Sequence, residues 1–486
     1  MIKSVCILGG GTSGVVTALV LKRWYPTIDI TIVESSNVGI VGVGEGSTEH
    51  WAQFMRAVDI PLKELITETS ATFKSGIKFD NWNGDGEYYF HALHANYTEV
   101  IPSGLPALMV ALMAKESAHL TPQAILDSKH YFPLSTTVNQ YHFDTHKLNK
   151  YLHKKCLDRG VKSIDADIVD VELDSDGFVH SIIDTDNQRY SADLFIDCSG
   201  FAKIISSKLG SKWVDCGDYL PMNKAFAFPT EGEQDIPSHT LSKALSSGWL
   251  WRIPTQERFG NGYVYCGDFI TDDQAYIEAQ QLYNKPIEIG KSFKFRAGYI
   301  DKFWIKNCVS VGLSGSFVEP LEATSIGTSI QQAFGIGNVL IHWDRNDTKI
   351  ANQYNEHFEE VAKNIIDFVQ LHYVTKRQDT EFWRHCQNLK LTDFNKEMIP
   401  YFKKTLPNRM FYNKPFLLFT EQNWMQIMYG LKIFDLDHIK AIWNSQDPAL
   451  IADSELMFSN IKQFEAANTP LSHREALNYI MSNDFI

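Results

Sequence analysis

The chain opens with a short apolar run, Ser4-Val5-Cys6-Ile7-Leu8, which is followed at once by glycines. A continuous apolar stretch of that length predicts a buried parallel strand. Val15 to Trp24 carries apolar residues at helical spacing, and Ile28 to Val33 is a second strand ending at Glu34. Two later segments repeat the strand-then-glycine pattern. Tyr190 to Phe201 runs through Asp197 into Cys198-Ser199-Gly200, and Asn307 to Gly312 leads into Leu313-Ser314-Gly315. Between them, residues 81–140 and 203–300 are rich in Tyr, Phe and Trp at alternating positions, which predicts a second sheet inserted into the first domain. His142 to Arg159 reads as a helix, and Ser163 to Ile183 as strands around the turn Ser175-Asp176-Gly177. From about Ile326 onward the pattern is mostly helical. No Pro/Gly/Ser-rich linker or internal repeat separates these parts, so an interleaved α/β architecture is expected.

The 486 residues are 44% apolar and 21% charged, enough to bury a large core without disulfide staples. At ~100–200 residues per domain, roughly two to four domains or one interleaved unit are expected. The net charge of −13 comes without any long Lys/Arg run, so neither a nucleic acid nor an anionic membrane surface is an expected partner. Seven scattered cysteines contain no C-x-x-C pair. They suggest neither a metal site nor a disulfide framework, and they fit a reducing, cytoplasmic setting. No window is long and apolar enough for a membrane span, and Val5 to Trp24 is broken by glycines where a signal peptide would be continuous.

The first chemical motif is Gly9-Gly10-Gly11-Thr12-Ser13-Gly14, a G-x-G-x-x-G between a strand and a helix. Gly9 permits the tight turn, Gly11 lets backbone approach a pyrophosphate, and Gly14 lets helix and strand pack closely. The helix N-terminus offers unpaired N–H groups to phosphate oxygens, and Glu34 suits a ribose hydroxyl. The motif indicates a dinucleotide without choosing between NAD and FAD.

A second motif decides between them. Gly248-Trp249-Leu250-Trp251-Arg252-Ile253-Pro254 contains W-x-W-x-I-P, which with the G-x-G-x-x-G marks flavin-dependent halogenases of the tryptophan-halogenase type. The sequence resembles that family over roughly residues 1–385, through Arg258 to Tyr265, Phe317 to Glu322 and Asp379 to Trp383. The resemblance implies a two-dinucleotide-type FAD fold. Its discontinuous FAD-binding domain is expected at 1–80, 140–202 and 303–365, with β-rich substrate-side insertions at 81–139 and 203–302. A helical substrate region is expected at 366–486. The resemblance also implies Lys74 as the residue that holds hypohalous acid, by hydrogen bond or as a haloamine, with Lys78 its rival four residues on. Glu322 matches the family's glutamate beside the reacting ring, whereas Glu319 is read as a structural acid. Backbone N–H groups at Thr324 and Ser325 match the halide site. Glu45, Val169, Leu313 and Ile326 join Gly9 to Gly14 and Glu34 as FAD contacts. Val41 to Ser47 matches a glycine-rich strap over the flavin.

Some positions depart from the family. Glu322-Ala323-Thr324-Ser325 stands where tryptophan-specific members read Glu-Ser-Thr-Gly. His91 matches a position that stacks on substrate, but Leu93 replaces the usual Phe. The amino-acid clamp has no clear counterpart, since Phe416 to Tyr429 is apolar with Asn423 and Trp424 as polar handles. The expected reaction is FADH₂- and O₂-dependent halogenation, through a flavin hydroperoxide, of an electron-rich indole or phenol. Halide is a co-substrate, with bromide and iodide accepted, and a separate flavin reductase is the partner. The alternatives are an aromatic hydroxylase, which W-x-W-x-I-P and Lys74 disfavour, and a non-catalytic flavin carrier, which would need neither Lys74 nor Glu322. The sequence does not decide between a monomer and a homo-oligomer.

Overall fold

A computed structural model describes residues 2–39, 45–92, 140–412, 414, 417–453, 456 and 471–482. Leu93, Val41 to Gly44 and Phe416 lie outside the described residues. A six-stranded sheet forms one layer, with strand order Trp304–Ile305, Cys308–Ser310, Leu194–Asp197, Ser4–Leu8, Asp29–Glu34, Lys162–Asp165. All pairings in it are parallel except that between the first two strands. The predicted strands at 4–8, 28–33, 190–201 and 307–312 therefore meet side by side. Their apolar side chains are buried because a parallel sheet is covered on both faces.

Helix α1 (Thr12–Trp24) and helix α2 (Thr145–Asp158) lie against this layer. Asp144 caps α2 by accepting from the His146 and Lys147 N–H groups. Helix α3 (Thr324–Val339) runs beside α1, with Trp24 stacked on Phe334 and Ser13 Oγ bonded to Ser329 Oγ at 2.9 Å. Helix α4 (Lys349–Leu371) leads to the C-terminal helices, among them α5 (Glu421–Gly430).

A seven-stranded sheet forms the second layer, in the order Lys291–Lys294, Lys224–Glu231, Arg258–Tyr265, Gly248–Pro254, His239–Ala244, Gly76–Asp80, Tyr88–Ala92. Trp251 faces Gly262 across the central pair, and a side chain at Gly262 would collide with the indole. The strand Gly76–Asp80, expected at the end of the first FAD-domain segment, belongs here. It pairs with His239–Lys243 and with Tyr88–Ala92, because Ile77 and Phe79 bury their side chains on its core face. Phe79 stacks on Tyr89 and lies edge-on to Trp82. Helix α4 likewise runs through the boundary expected at 365–366.

The glycine turn joins strand and helix at close quarters. Gly9 has φ +115, and a Cβ there would lie 2.3 Å from the Cys198 carbonyl oxygen. A Cβ at Gly11 meets no atom within 4 Å. Gly9→Ala is accordingly expected to cost about 3 kcal/mol, through the forbidden backbone and the clash, and Gly11→Ala much less. Chemical-denaturation midpoints of the two variants check the contrast.

Candidate active site

The turn after the first strand is held from below. The Gly10 carbonyl accepts from Asn149 Nδ2 at 2.8 Å and from His153 Nε2 at 2.7 Å, both on α2. Glu34 lies over the turn, since a Cβ at Gly10 would strike its carboxylate, and it accepts from Ser163 Oγ at 2.9 Å. Gly14 packs so tightly that a Cβ would lie 2.0 Å from the Gly9 carbonyl oxygen. Thr12 and Ser13 open α1, whose N-cap Gly11 makes no side-chain cap. The first amides of α1 thus lack intrahelical acceptors beside a position that only hydrogen fills, a cradle that fits a pyrophosphate. Leu313 lies half-buried in the turn Gly312–Ser314, and Ile326 is buried in the first turn of α3. Val169 is exposed on the strand Ile168–Leu173, two residues past Asp167, which accepts from Ser35 and Asn37 at the end of the Glu34 strand. Asn149 and His153 went unmarked in the sequence, although their i, i+4 spacing on a predicted helix puts them on one face.

Lys74 follows the short strand Thr72–Phe73, which pairs with Tyr141–His142, while Glu45–Gly46 pairs with His142–Phe143. The lysine is 1% exposed, and its Nζ donates to the Ser47 carbonyl at 2.9 Å. A Cβ at Gly46 would stand 3.2 Å from Nζ, so the described end of the strap lies directly on the lysine. Burial pushes the Lys74 ammonium down to about 8, against the opposing pull of Glu322 and Glu49. Glu45 points inward. Burial pushes its carboxyl up to about 7, and Oε2 finds no partner among the described residues.

Two histidines support the lysine strand without adding charge. Thr72 Oγ1 donates to the Pro254 carbonyl at 2.7 Å, so His142 Nδ1 donates to Thr72 and its Nε2 accepts from Thr240. Burial and the nearby Lys74 hold His142 well below the usual histidine range. His473 Nε2 accepts the Phe73 N–H at 3.0 Å, while its Nδ1 donates to the Ile236 carbonyl. The rival Lys78 is half-buried, its Nζ 3.7 Å from the centre of the Tyr88 ring.

Glu322 is 2% exposed and lies between two imidazoles. Asn423 Oδ1 accepts the Thr420 N–H, which leaves Nδ2 to donate to His91 Nε2 at 3.1 Å. His91 therefore carries its proton on Nδ1 and donates it to Glu322 Oε2 at 2.8 Å. His372 Nδ1 donates to the Phe368 carbonyl, so its Nε2 shares a proton with Glu322 Oε1 at 2.8 Å. Burial alone would raise the Glu322 carboxyl, but the two imidazoles overrule it and hold it down to about 2. The Glu322 carboxylate and the Lys74 ammonium are thus both buried, and the lysine feels the carboxylate's charge. The sequence pattern left His372 unmarked, because it stands one residue beyond the end of α4 and gains its meaning only from Glu322.

The chain passes from Glu322 through Ala323, whose φ of +54 is left-handed, into α3. Ala323 supplies no side-chain cap, so the N–H groups of Thr324 and Ser325 lack intrahelical acceptors. Both residues line a cleft with Gly312, Phe317 and Thr328. On the substrate side, Asn423 is occupied by the α5 cap and by His91. Trp424 is fully buried among Phe368, Phe394, Phe402 and Tyr412. Its Nε1 finds no partner among the described residues. The two expected polar handles are therefore a positioning amide and a core indole. Among the described residues no His/Cys/Asp/Glu cluster could hold a metal ion, and no helix is long and apolar enough to cross a membrane.

The sequence profile of the tryptophan halogenase family matches residues 4–443. The tryptophan 6-halogenase ThaL of Streptomyces albogriseolus is 30% identical, over 95% of either chain. Among solved structures, the flavin-dependent halogenase BrvH of Brevundimonas sp. BAL3 superposes with a TM-score of 0.87, at 29% identity over 99% of each chain. A flavin-dependent halogenase of Xanthomonas campestris gives 0.89 at 28% identity, over 99% of this chain and 98% of the other. The fold on two large sheets, the glycine turn and the buried Lys74 and Glu322 thus come with a full-length match, and the chain belongs to the tryptophan halogenase family of flavin-dependent oxidoreductases.

Proposed function

We propose that the chain halogenates an electron-rich aromatic molecule, an indole or phenol without an amino-acid handle. Lys74 is the residue that presents the halogen, and Glu322 the anion beside the reacting ring. The observation that carries this reading is the enclosure of Lys74 next to a Glu322 held by two histidines. Reduced FAD, with O₂ and halide, supplies hypohalous acid when bound. The glycine turn, Glu34 and the first amides of α1 suit the dinucleotide, with Glu45, Val169, Leu313 and Ile326 as further contacts. The free amides of Thr324 and Ser325 suit the halide. The Lys74 Nζ can hold hypohalous acid by hydrogen bond, and its lowered proton affinity also lets the free amine take the halogen. Glu322 can stabilise the cationic ring that follows. A separate flavin reductase and a cytoplasmic setting belong to the same reading, and the seven free cysteines support the latter.

The proposed substrate class rests on the described residues of the pocket. A zwitterion needs charged partners, while Asn423 and Trp424 are engaged or enclosed. Ala323 removes a hydroxyl beside the halide amides, which favours large, weakly hydrated halides.

Lys74→Met is expected to abolish halogenated product. It should also stabilise the fold near neutral pH by about 3 kcal/mol, because a buried ammonium is removed. The lysine's folded value lies below its unfolded value of 10.5, so the cost of its charge is full below about pH 8 and declines between 8 and 10.5. Product mass spectrometry with a generic reductase, and unfolding curves at pH 7 and 9.5, check both parts. Retention of most product would move the role to Lys78.

Gly11→Val is expected to leave the fold intact, since a Cβ there meets nothing, yet to weaken FAD binding at least about tenfold. Flavin fluorescence titration reads this without any turnover.

In competition, bromide or iodide is expected to be used at least as well as chloride, and indole to be turned over faster than tryptophan. Equimolar halides, and equimolar indole and tryptophan, decide it. Strong selectivity for chloride and for tryptophan would count against both parts.

A further inference from the structure

Trp249, the first tryptophan of W-x-W-x-I-P, is 1% exposed, and its indole N–H donates to Glu319 Oε1 at 3.0 Å. The Tyr373 hydroxyl donates to the same oxygen. Glu319 immediately precedes the turn Pro320–Glu322, and Tyr373 immediately follows His372. Two cross-links thus run side by side between the same two backbone segments, Glu319 to Tyr373 and Glu322 to His372. Trp249 ties the pair to the central strand of the seven-stranded sheet. The turn needs such restraint. It ends at Ala323, a non-glycine residue at φ +54, a conformation that persists only where its surroundings over-determine it. The same turn delivers Glu322 on one side and the Thr324 and Ser325 amides on the other.

We propose that Trp249 is a positioning residue: through Glu319 and Tyr373 it fixes the turn that presents Glu322 and the amides opening α3. The motif then contributes a specific N–H donor, where a barrier between flavin and substrate would need only bulk. The proposal rests on the reading of Glu322 given above. Glu319 Oε2 has no partner among the described residues, and burial pushes the carboxyl up to about 7, against the two hydrogen bonds. Glutamine should therefore substitute well, because its amide oxygen can accept from both Trp249 and Tyr373.

The test compares Trp249→Phe, Glu319→Leu, their double variant and Glu319→Gln, with Glu322→Gln as control. Each is assayed for halogenated product, for kcat and KM, for FAD binding and for thermal unfolding. Trp249→Phe keeps an aromatic ring while it removes the donor and the pyrrole part of a buried indole, so thermal unfolding is read beside kcat. It is expected to lower kcat about tenfold, as a small displacement of a catalytic group does, with substrate KM within about twofold and FAD binding unchanged. The double variant should be no worse than the poorer single one, because both break one link. Glu319→Gln should restore most of what Glu319→Leu loses. Wild-type kcat in Trp249→Phe, or additive losses in the double variant, would overturn the proposal. So would oxygenated product from Trp249→Phe, which would show that the bulk of the indole, and not its N–H, keeps substrate from the flavin. Should Glu319→Leu fail to fold, Trp249→Phe decides alone. Loss of product in Glu322→Gln with none in Trp249→Phe removes only the positioning role. Full product from Glu322→Gln removes the catalytic reading beneath it.

Discussion

An ammonium and a carboxylate buried together are the constraint on which the rest of this structure depends. Either group alone would be costly to desolvate, and one opposite charge repays only part of that cost. Lys74 donates to a strap carbonyl and feels the charge of Glu322, and its proton affinity falls all the same. Glu322 keeps its charge only because His91 and His372 each bring a proton to one of its oxygens. Those imidazoles need their own far sides satisfied, which Asn423 and the Phe368 carbonyl do. The requirement thus spreads outward until it includes α5, the end of α4 and the edge strand Tyr88–Ala92 of the seven-stranded sheet. His142 and His473 are arranged so that neither adds a second positive charge behind the lysine.

What could be read from the sequence, and what could not, follows from the range of the interactions. Strand-then-glycine segments are local patterns, so the pieces at 4–8, 194–197 and 308–310 were recognisable before any pairing was known. The sheet that Gly76–Asp80 joins is not legible locally, because five residues carry too little periodicity to choose one. The strand's place is set by hydrogen bonds to His239–Lys243, far along the chain. Lys74 and Glu322 were found through motif resemblance. His372, which holds Glu322, carries no local signature, and Asn149 and His153, which hold the glycine turn, share only an i, i+4 spacing. Asn423 is legible as a polar position in an apolar run, whereas its hydrogen bonds to Thr420 and His91 emerge only from the fold.

The two halves of the site solve opposite electrostatic problems by different means. At the glycine turn and at the start of α3, the first amides of a helix lack intrahelical acceptors, an arrangement that suits anions without a cationic side chain. Such amides cannot be titrated away, so an arrangement of this kind does not depend on pH. Around Lys74 and Glu322 the groups are titratable, so their protonation has to be set by neighbours, and burial supplies the leverage. The turn from Glu319 to Ser325 belongs to both halves. Within seven residues it contributes a buried acid to the tryptophan motif, a carboxylate to the two histidines and free amides to the cleft. A displacement of this segment would disturb the halide side and the substrate side at once. That shared dependence explains why so many buried hydrogen bonds from distant strands and helices converge on one short turn.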